Sequence, residues 1–240
     1  NERGRKGIGP NPIFADREVR RALSMAVDRR GAVTTVYDAK TPLLLGPYTS
    51  NLATYDPSIA QLPYSPDSAA RLLERRGWTL GSDGIRHKGD VPLQFALLVP
   101  GSSSQRQQLA VLMQDMFKRV GARMTIDHVD FPTFNARQTA HDYDAGLEGM
   151  SLDPTPSGIR QEWSGAAARA DGISNTGHYV NPAFDATVDS AVATLETKEG
   201  NELDGRSDVI IANDDPPTGL DPAPADAGTP LTMTPAGPGA

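Results

Sequence analysis

The residue types that carry chemistry are sparse in this chain of 240 residues, and they are widely spaced. Its four histidines, His87, His128, His141 and His178, are scattered. None has a second histidine at i+4 or a flanking glutamate, which excludes a helical zinc site of the HExxH type. There is no cysteine, so a thiolate zinc site, a cysteine nucleophile and a disulfide framework are all excluded. The nucleophile-elbow pattern GxSxG is absent. So are GxxxxGK[ST] and a GxGxxG placed after a strand, and with them a phosphate cradle. Asp142 and Asp144 fall on one side of a strand start. Such a local carboxylate pair does acid–base work only with a partner and a pocket. His128 alternates with Met124 and Ile126 and reads as a structural histidine. No catalytic constellation stands out, and the expectation is a protein without enzymatic activity, cofactor or metal.

The elements that must position these residues follow from patterning. Asp16 reads as an N-cap, and Val19, Ala22, Leu23, Ala26 and Val27 recur on one helical face. A shorter helix is expected over 30–37. Residues 1–15 and 38–64 are rich in Gly and Pro or lack periodicity and read as loops, the second long enough to suggest a functional role. Ser65, Pro66 and Gly77 bracket a helix with Ala69, Leu72 and Leu73 inside. Ser82-Asp83-Gly84 predicts a turn within a hairpin over 78–89. Leu93, Phe95, Leu97 and Val99 predict a strand, and the helix over 103–120 carries the clearest 3.6-residue period, closed by Gly121. Its methionines read as core filler. A strand over 124–128, a helix over 131–139, a strand over 143–150, and helices over 159–163 and 182–195 complete the order. Strands alternating with helices predict an α/β layer fold with a largely parallel or mixed sheet.

Charge is distributed unevenly. The formal net charge is −7. Residues 201–240 hold seven acids, one base and seven prolines, a net charge of −6 that leaves −1 for residues 1–200. The last aromatic residue is Phe184. Such an end cannot bury enough apolar surface to offset its ordering entropy, so a disordered C-terminal tail is expected. The mild acidity argues against non-specific nucleic-acid binding. No apolar run approaches the roughly 18 residues that span a bilayer. The chain begins at Asn1 without a signal-peptide pattern, and the expectation is a mature processed chain or a fragment.

Six segments in order resemble one family. They are NPIFADREVRRALSMAVDRRGAV (11–33), YSPDSAARLLERRGW (64–78), the 107–126 helix–strand pair ending in KRVGARMTI, YDAGLEGMSLDP (143–154), NTGHYVNPAFD (175–185) and, more weakly, 194–220 with DVIIANDDPPTGL. Together they resemble the extracytoplasmic solute-binding proteins of peptide/nickel-type ABC transporters, the oligopeptide- and dipeptide-binding family. The resemblance implies a periplasmic-binding-protein-like (type II) lobe, α/β with a mixed sheet flanked by helices. It covers residues 1–220 as an incomplete second lobe without its first, and leaves 221–240 as an off-family tail.

The resemblance also implies the function and the site. The family's two lobes close around a peptide or another small solute and present it to an ABC permease from the periplasm or the outer cell surface. Nickel, haem, opine or oligosaccharide cargo is the alternative within the family, and a sensor module of a transcription regulator is the alternative outside it. In oligopeptide binders a Trp-x-x-Asp segment supplies the carboxylate that pairs with the ligand's α-amino group. Here that segment runs Met150-Ser151-Leu152-Asp153, placing Asp153 at the carboxylate and Met150 where Trp is usual. Asp153 also reads as a turn or helix-cap residue beside Pro154. Arg137 falls near a carboxylate-binding arginine of some peptide binders, or is a solvated helix residue. Asn175 and Tyr179 match an Asn-x-x-x-Tyr signature that lines or braces the cleft. Trp163 is a cleft aromatic or a core residue.

Overall fold

The structure, a computed structural model, describes residues 12–44, 46, 50, 55–149, 153, 155–170 and 174–196. The expected tail and Met150 lie outside them. The first helical turn, α1 (Pro12–Ala15), corrects the expectation of a loop through residue 15, because Ile13 has apolar surface to bury and is 4 % exposed. In α2 (Arg17–Ala26) the Asp16 carboxylate accepts from the Glu18 amide at 2.9 Å, and Val19, Ala22, Leu23 and Ala26 are buried. α3 (Arg29–Val36) is capped in turn by Asp28. α4 (Pro66–Arg75) packs on α2 through Ala69, Leu72 and Leu73. Full burial of a leucine such as Leu73 is worth about 1.5–3 kcal/mol.

Both well-marked helices end in the same way. At the end of α4 the Gly77 amide donates to the Glu74 carbonyl and the Trp78 amide to the Leu73 carbonyl, with Gly77 at φ +82°. At the end of α5 (Ser104–Arg119) the Gly121 and Ala122 amides reach the Lys118 and Phe117 carbonyls, with Gly121 at φ +80°. These are Schellman closures, and each needs the left-handed conformation that glycine adopts without penalty.

Between α4 and α5 the chain forms an antiparallel meander of β1 (Thr79–Leu80), β2 (Arg86–Lys88) and β3 (Val91–Pro92). The turn at Gly84 is the expected one, and β3 is a strand that alternation alone could not reveal in two residues. Arg86 is only 4 % exposed. It donates to the Val120 and Trp78 carbonyls and to Glu74 at 2.8, 2.9 and 3.1 Å, which pins the meander across the ends of α4 and α5.

The second sheet is parallel, with β4 (Gln94–Pro100) flanked by β5 (Arg123–Val129) and β6 (Ala145–Gly146) in the order β5-β4-β6. The mixed strand content is therefore divided between two sheets. Both faces of β4 are covered. Phe95, Leu97 and Val99 meet Phe117 of α5 in the main core, while Leu98 meets Phe134 of α6 (Phe131–Thr139) and Tyr143 on the other side. A central parallel strand covered on both faces reads as a near-continuous apolar run, and FALLV is one. The strand expected over 143–150 is far shorter. The Asp144 carboxylate accepts from the Ala96 amide at 3.0 Å, so a side chain takes the place of a backbone acceptor just before β6 begins. His128 lies exposed on edge strand β5, a correction to the structural role expected from its alternating pattern.

The chain continues into α7 (Pro156–Trp163), α8 (Gly165–Arg169) and α9 (Pro182–Glu196). A small second core joins Ile159, Phe184 and Val188, with Trp163, Tyr179 and Val192 at its margin.

Candidate ligand-binding site

The parallel sheet sets the geometry. From β4 the chain crosses through α5 to β5 on one side, and then through α6 to β6 on the other. The switch in direction lies between β4 and β6. In open α/β sheets ligands settle in the crevice outside the carboxyl ends of the strands at such a point. Two loops leave those ends here, 101–103 into α5 and 147–155 into α7. The second loop carries Asp153.

Asp153 is exposed, and its Oδ1 accepts from the Thr155 amide at 3.1 Å. Thr155 then caps α7, its hydroxyl accepting from the Gly158 amide at 3.1 Å. Asp153 therefore occupies the turn before the helix, and among the described residues its Oδ1 bond to Thr155 is the contact its carboxylate makes. Gly158 makes this approach possible: a Cβ there would stand 2.3 Å from the Asp153 carbonyl oxygen and 2.5 Å from its Cβ.

Arg137, in the last turn of α6, is held within the fold. Its Nη1 donates to the Asp127 carboxylate at 2.5 Å and its Nε to the Asp142 carbonyl at 3.0 Å, with the Asp142 carboxylate at 3.9 Å. Asp142 and Asp144 thus serve different neighbours, one beside Arg137 and one on the β4 ladder.

Asn175 and Tyr179 come together. Asn175 is 6 % exposed and adopts φ +45°, a region that asparagine tolerates better than most residues. Its Nδ2 lies 3.2, 2.9 and 2.7 Å from the Trp163, Ser164 and Tyr179 carbonyls, and its Oδ1 accepts from the Tyr179 amide at 2.8 Å. This one side chain fastens the 174–179 turn to the α7–α8 junction. The Tyr179 ring stands edge-on to Phe184, and its hydroxyl accepts from Asn181 at 2.9 Å. Trp163 packs against the Ile159 cluster, with its indole nitrogen buried.

Three further contacts in this region were not apparent from sequence. Tyr143 donates its hydroxyl to the Thr176 carbonyl at 2.9 Å. The buried Gln138 donates to Glu148, tying α6 to the 147–155 loop. His141 and His178, both at positive φ, bring their Nε2 atoms within 2.9 Å. Among the described residues no group of three or more His, Asp or Glu is placed to hold a metal.

The helix-flanked parallel sheet with its direction switch is of the periplasmic-binding-protein-like kind. That fold is shared with solved structures. Oligopeptide-binding AppA of Bacillus subtilis, solved with a nonapeptide, matches at a TM-score of 0.72 and 24 % identity, over 84 % of this chain and 40 % of that one. NikZ of Campylobacter jejuni, solved with Ni(L-His), matches at 0.68 and 23 %, over 85 % and 41 %. Residues 1–170 match the family described as bacterial extracellular solute-binding proteins, family 5 (middle part), and the chain belongs to that family. Protein XP55 of Streptomyces lividans is 27 % identical over 186 residues, covering 78 % of this chain and 34 % of that protein. Oligopeptide-binding protein AppA of B. subtilis is 27 % identical over 151 residues, covering 61 % and 28 %. The chain thus spans about a third of the length of these curated relatives. Family-5 proteins are extracytoplasmic, and no helix among the described residues is long and apolar enough to cross a membrane.

Proposed function

We propose that this chain is one lobe of a two-lobed peptide receptor that delivers its cargo to an ABC permease from the periplasm or the outer cell surface. The observation that carries this reading is family-5 membership over residues 1–170, in company with relatives named as binders of oligopeptides and of di- and tripeptides. Residues 1–220 form the lobe in this reading, and 221–240 lie outside it. The site chemistry supports capture rather than turnover. Asp153 offers an exposed carboxylate, braced by the Thr155 amide, to a ligand ammonium. Met150, on the same loop, supplies flexible apolar contact. Asn175 braces the 174–179 turn from within the fold, Trp163 and Tyr179 pack on the small second core, and Arg137 is already paired with Asp127, so in this reading they support the site rather than hold the ligand's charges. A charged terminus held by a paired carboxylate fixes the ligand, while waters adapt to its varied side chains.

Calorimetry with a mixture of di- to pentapeptides tests the proposal, comparing this chain with a version extended to the family's full length. Tight binding by the extended protein and weak binding by this chain are expected, because the lone lobe lacks the opposing contacts. Equal tight binding by both contradicts the two-lobe reading. Absence of peptide binding by the extended protein contradicts the peptide reading.

A further inference from the structure

Two histidines meet at the end of the sheet opposite the crevice. His141 follows α6 and precedes β6, so it stands at the amino end of the parallel strands. His178 belongs to the 174–179 turn, and both side chains are half-buried. Their Nε2 atoms are 2.9 Å apart and their rings are inclined at 63°. The ring centroids are 3.9 Å apart, barely farther than the nitrogens, so the rings do not meet end to end as a straight N–H···N bond sets them. Two neutral imidazoles bond through these atoms only when one Nε2 carries a hydrogen and the other does not.

Both residues also hold an uncommon backbone conformation, His141 at φ +52° and His178 at φ +55°. Strain of this kind collects at functional positions, and here both members of one side-chain pair carry it. A glycine would meet the backbone requirement at either position without a side chain, so that requirement does not call for imidazoles. The turn has other fastenings as well. Asn175 ties it to the Trp163 and Ser164 carbonyls, and the Tyr143 hydroxyl donates to the Thr176 carbonyl.

We propose that His141 and His178 form a two-histidine clamp for a divalent transition cation such as zinc, set at the joint between the α6–β6 connection and the 174–179 turn. Zinc–imidazole bonds are about 2.0–2.1 Å long, so two that meet at about 90° put their nitrogens about 2.9 Å apart, and an opening to about 3.3 Å gives the tetrahedral angle. Both rings then keep their proton on Nδ1 and offer Nε2 to the metal. No third His, Asp or Glu among the described residues is placed to join them, so water completes the coordination and the site is weaker than a closed four-ligand one. The clamp lies away from the crevice, and its effect is on the joint rather than on the cargo.

The test uses the full chain without an affinity tag, with zinc chloride as the probe. Calorimetry should show one saturable site per chain. Zinc should also raise the urea midpoint, reversibly on adding a chelator, because a cation that binds only the folded form stabilises it. Magnesium, which takes oxygen ligands, should do neither. His141→Gln and His178→Gln should each weaken zinc binding at least about 10-fold, since a direct ligand counts for no less than the outer-shell partners whose loss costs that much. His128→Gln, on the exposed edge of β5, should keep the wild-type affinity. Imidazole NMR of the wild type reads the same contact without a substitution: the Nε2 signals of His141 and His178 should move together as zinc is added. Absence of saturable binding, binding that survives in both glutamine variants at positions 141 and 178, or zinc shifts confined to His87 and His128 each overturns the clamp and leaves the peptide reading standing.

Discussion

Replacing Asn175 by alanine should cost about 4 kcal/mol, and the structure divides that figure into separable parts. The side chain satisfies the Tyr179 amide and the Ser164 and Tyr179 carbonyls at 2.8, 2.9 and 2.7 Å, in a position only 6 % exposed. Three buried hydrogen bonds at a net value of about 1 kcal/mol each give about 3 kcal/mol. Residue 175 also sits at φ +45°, where an alanine adds about 1 kcal/mol. Asn175→Gly loses the same bonds without that conformational cost, so it should fall about 1 kcal/mol short of the alanine variant. Asn175→Asp keeps the Tyr179 bond but turns a carboxylate oxygen toward carbonyl oxygens, and should be worse than alanine at neutral pH. Urea unfolding reads all three. With a slope of about 2 kcal/mol per molar, alanine should lower the midpoint by about 2 M without changing the slope. An alanine variant within about 1 kcal/mol of wild type, or a glycine variant no better than alanine, refutes the view that this residue holds the 174–179 turn in place.

Arg86→Ala should destabilise the fold by about 3 kcal/mol in the same assay, since it strands two buried carbonyls at the ends of α4 and α5. Glu74→Ala should cost under about 1 kcal/mol, because Glu74 is 58 % exposed. Gly158→Ala should displace the Asp153 backbone, cost about 1–3 kcal/mol in stability, and weaken ligand binding at a distance from the ligand. The Thr133 amide, and then its hydroxyl, hold the Asp130 carboxyl below its ordinary 3.8. Its cap on α6 should therefore persist at neutral pH and be lost only as the pH falls through that depressed value. A carboxyl NMR titration of Asp130 with its midpoint at or above 3.8 contradicts this.

The legible parts of the fold were those with a local cause. The helix expected over 103–120 appears as Ser104–Arg119 because one apolar face, a serine cap and a terminal glycine all agree. The helix ending at Gly77 and the turn at Gly84 follow from the same kind of local chemistry. The strand over 143–150 was overextended because a tertiary contact, Asp144 on the Ala96 amide, decides where β6 begins. The exposure of His128 depends on β5 lying at a sheet edge, which alternation within one strand does not encode. Within the site, Asn175 and Tyr179 were singled out from sequence, but the bonds that make Asn175 a brace reach residues 11 and 12 positions away.

The central claim is that the loop at the switch point holds a ligand ammonium through Asp153. Its most direct test compares trialanine with N-acetyl-trialanine, by calorimetry, on the family-length protein and on its Asp153→Asn variant. Acetylation should weaken binding to the wild type by about 10–100-fold, and should cost the Asn variant little. An acetylated peptide that binds the wild type as tightly as the free amine would contradict the account.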